Sequence, residues 1–185
     1  MKYILLCLFT IFFSACSVKY SAQSYPQKQN SAEVEKINNL QMALLSLSSN
    51  INEHEANKIA TVSVLYSLEL ANQYELVSPP LFHNTLINMN LKRRGFCHHF
   101  ALDLIKKLKK QNLKTLDLRW AVHEKANYWE HNAVVISAKG ANFQEGIVLD
   151  AWRNSGKLYW NYVNKDIKYQ WSEALSDSKY YGTLR

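Results

Sequence analysis

The sequence predicts an α+β domain with an antiparallel sheet, and three observations carry that prediction. Apolar residues recur at helical spacing in the blocks 31–48, 53–74 and 97–110. Strand-length blocks, alternating or continuously apolar, follow between residues 115 and 163. Helices therefore come first and strands later, instead of alternating as a parallel sheet requires. With 185 residues, 48% of them hydrophobic, the chain can bury one sizeable core and is too short for two domains to be expected.

The opening stretch, MKYILLCLFTIFFSACS, reads as a signal peptide over residues 1–15. Lys2 supplies the positive start, Tyr3 to Phe13 form an apolar run too short for a bilayer, and Ser14 and Ala15 precede Cys16. These small residues before a cysteine resemble the lipobox of bacterial lipoproteins, with Phe13 where leucine is usual. The resemblance implies lipidation of Cys16 and a membrane anchor through it; ordinary signal cleavage is the alternative. Ser17, in place of Asp, implies the outer membrane and a periplasmic domain. Residues 16–30 are polar and Ser/Gln-rich, as a flexible tether would be. The formal net charge is +7, which suits anionic envelope polymers or headgroups. No basic run is interleaved with stacking aromatics, so nucleic acid is not an expected partner.

Ser31 reads as the cap of a first helix, with Val34, Ile37, Leu40, Leu44 and Leu47 on its inner face. A second helix is predicted from Glu53 to about Tyr74, stopped by SPP at 78–80. After the segment LFHNTLINMNL and the tight RRG comes the best-defined helix, starting near Phe96 to His98. Phe100, Ala101, Leu104, Ile105 and Leu108 form its apolar stripe, and lysines crowd its last turn. TLDLRWAV alternates as a half-buried strand, with Leu116, Leu118, Trp120 and Val122 inward. EHNAVVISA, GIVLDAW and KLYWNYV supply three more strands. The C-terminal part, with Trp171, Tyr180 and Tyr181, has no clear period.

Cysteine usage raises the chemical question. With Cys7 lost in the signal and Cys16 at the lipidation site, Cys97 has no partner in a compartment where disulfides form. An unpaired thiol there is exposed to oxidation, so a chemical role explains its presence; an inert buried cysteine is the other reading. Cys97 sits directly after a glycine at a predicted helix start, where partial positive charge and free N–H groups favour a thiolate and the oxyanion of an attacked carbonyl. Arg93 and Arg94 add charge if they point that way.

A nucleophilic thiol needs a base within hydrogen-bond reach and a polar group to orient that base. His131 opens one predicted strand and Asp150 closes the next. A two-residue turn at Gly140 and Ala141 would set them directly opposite; a wider loop ending near Gly146 would leave them diagonal. Both registers put them at the same end of the hairpin.

The order of a cysteine at a helix start, a histidine on a strand and an aspartate on the following strand resembles the transglutaminase-like branch of the papain-like cysteine enzymes. GFCHHFALDLIKKL, EHNAVVI and IVLDAW carry the resemblance over about the last 90 residues; the N-terminal helices match nothing in it. It implies a papain-like core over residues 31–185, Cys97 as nucleophile, His131 as general base and acid, Asp150 as orienting carboxylate, and no cofactor. It implies hydrolysis or transfer at an amide, peptide or isopeptide bond through a thioester. By location, an envelope peptide, protein or peptidoglycan is the expected substrate.

Rival readings stand beside this one. Cys97, His98 and His99 suggest zinc, but adjacent helix positions point about 100° apart and cannot share one ion; a site from Cys97, His131 and Asp150 is sterically conceivable. Asn84, Asn88 or Asn90 could supply a side-chain oxyanion donor, with no motif to choose among them. His99 could line a cleft, His83 and His123 receive no role, and Trp129, Trp152 and Trp160 read as core or cleft-wall aromatics. The competing functional class is a lipoprotein that binds a partner or polymer, with Cys97 incidental.

Overall fold

A computed structural model describes residues 30–174. The expected signal peptide, the lipidation site Cys16, nearly all of the tether, and Tyr180 and Tyr181 lie outside them. Four helices come first: α1 (Ser31–Leu45), α2 (Glu53–Gln73), α3 (Pro80–Asn88) and α4 (Cys97–Lys109). Five strands follow: β1 (Leu116–His123), β2 (His131–Ala138), β3 (Ile147–Asp150), β4 (Tyr159–Tyr162) and β5 (Ser172–Glu173). The sheet order is β4-β3-β2-β1-β5 and every neighbouring pair is antiparallel. Among the described residues no helix is long and apolar enough to cross a membrane.

The first helix is capped by Asn30, one residue before the expected Ser31. Its carboxamide accepts the Glu33 N–H at 2.9 Å, and the Glu33 side chain reaches back to close a capping box. Glu33 stands three residues after Asn30, the spacing that device requires. Ile37, Leu40 and Leu44 are buried as expected, but Val34, in the first turn of α1, is 39% exposed. Asn52 caps α2. Glu55 accepts the N–H groups of Lys114 and Thr115, which ties the entry of β1 to the start of α2.

The helices cover one face of the sheet, with Trp120, Val122, Val134, Ile136, Ile147 and Leu149 facing α4 and α2 in one core. The other face is covered as well. Ala121, Ala133, Val135 and Val148 lie beneath Phe143, Val163 and Trp171. Strand β1 is therefore half-buried only along part of its length, since β5 and the segment leading into it fold over its far end. No periodicity in the sequence announces a covering of this irregular kind.

The β2–β3 connection takes the wider of the two expected forms. Ile136 pairs with Ile147 and Val134 with Leu149, and a 3-10 turn at Phe143–Glu145 delivers the chain to Gly146. A Cβ at Gly146 would come within 2.7 Å of the Ile136 carbonyl oxygen; only glycine lets β3 join at this point. Continuing the register sets Asp150 beside Ala133, diagonal to His131 and on the same face.

Candidate active site

The loop before α4 is built to hold the thiol still. Gly95 has φ of +128°, and a Cβ there would lie 2.3 Å from His83 Nε2. The buried His83 accepts the Val77 N–H at Nδ1 (3.1 Å), so its Nε2 carries the hydrogen and donates to the Arg94 carbonyl at 2.8 Å. His83 lies on α3, not in a loop, and acts as a strut. Gly95→Ala is expected to cost about 3 kcal/mol through strain and overlap, read as a fall in the urea midpoint with unchanged slope.

Three residues into the helix, His99 Nδ1 accepts the N–H groups of Gly95 (3.1 Å) and Phe96 (3.3 Å). An imidazole takes over the reach-back that Glu or Gln performs in a capping box, and it can do so only while neutral. Burial, then the neighbouring His98 and Arg94, push His99 down to about 4. The unfolded chain binds this proton more readily than the folded one. The contribution to stability is therefore whole above the ordinary 6.5 and is lost as pH falls through about 4. Stability curves of the wild type and His99→Gln, whose carboxamide accepts without titrating, are expected to differ in slope over that window. Parallel curves would contradict this role.

Cys97 is the first residue of α4 and 9% exposed. His131 opens β2, and its Nε2 donates to Asp150 Oδ2 at 2.7 Å, which leaves Nδ1 for the sulfur to which the imidazole is hydrogen-bonded. The backbone N–H of Asn132 also bonds the sulfur, and its side-chain nitrogen stands 3.9 Å away. The three residues singled out from the sequence thus meet at one point, where the helix start abuts the end of the hairpin.

Asp150 is completely enclosed, yet its carboxylate is satisfied on every side. Oδ1 accepts the N–H groups of Trp152 (3.1 Å) and Arg153 (3.0 Å), and Oδ2 accepts His131 Nε2 and Arg153 Nε (2.9 Å). Arg153 extends the chain of charges, forking onto both oxygens of Asp166 at 3.1 and 2.6 Å between the rings of Tyr159 and Tyr169. Asp166 in turn accepts Trp171 Nε1 at 2.8 Å. The imidazole of His131 is boxed by Trp152, Tyr169 and Trp171, with ring centroids 5.0, 4.5 and 5.4 Å away.

These surroundings set the charge state. Burial pushes the Cys97 thiol up, but hydrogen bonds from His131 and His98, the His131 charge and the Asn132 N–H outweigh it and bring the thiol down to about 6. Burial lowers His131, and the charge and hydrogen bond of Asp150, with the thiolate, raise it to about 9. For Asp150, burial is overcome by His131 and Arg153, which hold it at about 2. Between about 6 and 9 the pair is thiolate and imidazolium, the combination that attacks a carbonyl and then protonates a leaving amine.

Other expectations are redistributed. Arg94 turns away from the thiol to Asp103 (2.7 Å), which Tyr74 also bonds, and Arg93 is exposed. Of the three asparagines, Asn84 alone touches the site wall, accepting Trp152 Nε1 at 3.4 Å; Asn88 and Asn90 are exposed at the far end of α3. Trp152 is a wall and Trp160 packs against the main core, but Trp129 is 64% exposed beside Tyr128 in the β1–β2 loop. His123 Nδ1 is within 3.0 Å of the Gln170 carbonyl oxygen. Among the described residues, no group of three or more His, Cys, Asp or Glu side chains is arranged to hold a metal ion.

Three contributors escaped the sequence reading, Asn132, Arg153 and Asp166, and His98 entered it only as a rejected zinc ligand. Asn132 and Arg153 carried a signal, since each lies within three residues of a member of the set, where strand or turn geometry returns the side chain to the same end. Asp166 carried none. Comparison of the chain with family models, with curated proteins and with solved structures finds no match, so the meaning of the site rests on its own geometry.

Proposed function

We propose that the protein is a cysteine-dependent hydrolase or acyl transferase acting on amide or peptide bonds, with a papain-like, transglutaminase-like core. The observation that carries the reading is the sulfur of Cys97 at a helix start, bonded to an imidazole that Asp150 holds at 2.7 Å. Cys97 attacks the carbonyl carbon, and its own N–H, which has no acceptor inside the helix, faces the developing oxyanion. His131 gives its proton to the leaving amine, and water or a second amine resolves the thioester. Hydrolysis is favoured over transfer, because transfer needs an acceptor site that excludes water.

The signal and lipobox resemblance make this an exported, lipid-anchored protein facing the periplasm, with an envelope peptide, protein or peptidoglycan as substrate. The test is acyl-adduct trapping. Purified protein incubated with envelope extract is expected to gain mass on Cys97, and Cys97→Ala is expected to gain none. Absence of any adduct, together with sluggish thiol labelling that rises only at alkaline pH, would sink the enzyme in favour of a partner-binding lipoprotein.

A further inference from the structure

Asn132 is buried beside the thiol, and the mechanism above leaves its side chain idle. It pairs with Val122 across the sheet, so its carboxamide stands on the helix-covered face, diagonal to Trp120. His131, one residue earlier, points to the opposite face. The Cys97 sulfur, where α4 starts against the end of β2, meets both.

The orientation of this carboxamide is fixed twice. An indole nitrogen only donates, so the oxygen of Asn132 faces Trp120 Nε1, at 2.7 Å. An ionised carboxylate only accepts, so the nitrogen faces Glu130 Oε1, at 3.1 Å. Turning the group over would set donor against donor and acceptor against acceptor. The nitrogen carries two hydrogens; with one given to Glu130, the other is left for the Cys97 sulfur, 3.9 Å away. Glu130 is itself held, since its Oε2 accepts the Ala126 N–H at 2.8 Å.

The sulfur also has a contact that works the other way. As a neutral thiol it donates to the Glu130 carbonyl oxygen at 3.9 Å; as a thiolate it has no hydrogen to give, and that oxygen faces it unfavourably. A donor that cannot turn away tips this balance towards the ionised sulfur. Resting on the reading of Cys97 as an ionised nucleophile, we propose that the Asn132 side chain is a positioning residue for the thiolate, a carboxamide locked by Trp120 and Glu130 so that one N–H stays aimed at the sulfur.

The pH midpoint for alkylation of Cys97 by iodoacetamide tests this. The titratable groups around the sulfur are His131 from β2, His98 from α4 and Glu130 from the β1–β2 loop, and all three remain in the variants used, as does the Asn132 backbone N–H. Trp120→Phe combined with Asn132→Leu removes the donor together with the indole N–H that it satisfies, so the pair is replaced by apolar groups and the chain is expected to fold. Its midpoint is expected to stand about one pH unit above that of Trp120→Phe alone, the worth of one hydrogen bond to a charged group. Asn132→Asp keeps an acceptor for Trp120 but turns an oxygen to the sulfur, and should raise the midpoint at least as far above the wild type. If the double variant titrates with Trp120→Phe, or Asn132→Asp with the wild type, the carboxamide only fills space and the proposal fails. The thioester is read separately, as a burst of nitrophenolate from p-nitrophenyl acetate that Cys97→Ala abolishes. A wild type without that burst would overturn the thioester reading, while the alkylation midpoints would still decide the role of Asn132.

Discussion

His131→Gln is expected to slow alkylation of Cys97 by iodoacetamide at pH 6 by about 20-fold. With the imidazolium gone, burial is opposed only by the hydrogen bonds from His98 and the Asn132 N–H, and the thiol rises toward its ordinary value of 9.0. At that limit the thiolate fraction at pH 6 falls roughly 500-fold. The more basic thiolate is a better nucleophile, with a Brønsted slope of about 0.45, and this recovers roughly 20-fold. On the proposed mechanism amide hydrolysis should suffer more, because the leaving amine also loses its proton donor, worth about 10² to 10⁴ more. Glutamine keeps a hydrogen bond to Asp150, so the variant is expected to fold. An alkylation profile that keeps its midpoint near 6 would show that His131 does not ionise the thiol.

The second large effect is on stability. Arg153 is 6% exposed as a side chain and stands between two buried carboxylates. Arg153→Met removes the cation and leaves Asp150 and Asp166 facing one another across the gap. Breaking a buried pair by removing one partner costs about 3–5 kcal/mol, which for a chain of this size lowers Tm by about 10–20 °C. Arg153→Lys is expected to recover little, since an ammonium can neither fork onto Asp166 while bonding Asp150 nor stack between Tyr159 and Tyr169. The same variants should loosen His131 and raise the midpoint of thiol alkylation. A melting temperature within two or three degrees of the wild type would contradict the account.

The helices α1, α2 and α4 were legible because the apolar period of each is set by one flat neighbour, and four of the five strands because they alternate or, where both faces of the sheet are covered as in β2 and β3, run continuously apolar. The lysine-backed stripe of α4 and the alternation of β1 each point to a single buried face. What was not legible depends on contacts distant in sequence. Short helix α3 is held by the His83 strut and by packing, not by a pattern of its own. β5 is two residues long and defined only by its partner. Cys97, His131 and Asp150 could be named in advance because chain order and strand ends bring them together by topology. Val34 and Trp129, expected inside, are exposed among the described residues.

His99 and Asp166 show where such reading stops. A histidine three residues past a helix start looks like any surface histidine until the turn before it is seen to lack another acceptor. Asp166 lies in a polar stretch between two lysines and differs in no local way from a solvated loop carboxylate. Its role comes from Arg153, 13 residues earlier, and from the indole of Trp171.

The enclosure of His131 by Tyr169 and Trp171 makes the order of synthesis matter. Those rings and Asp166 emerge long after Cys97, so a nascent chain carries its sulfur as an ordinary, protonated thiol. Reactivity arrives only when the tail docks, which makes alkylation at mild pH a reporter of completed folding.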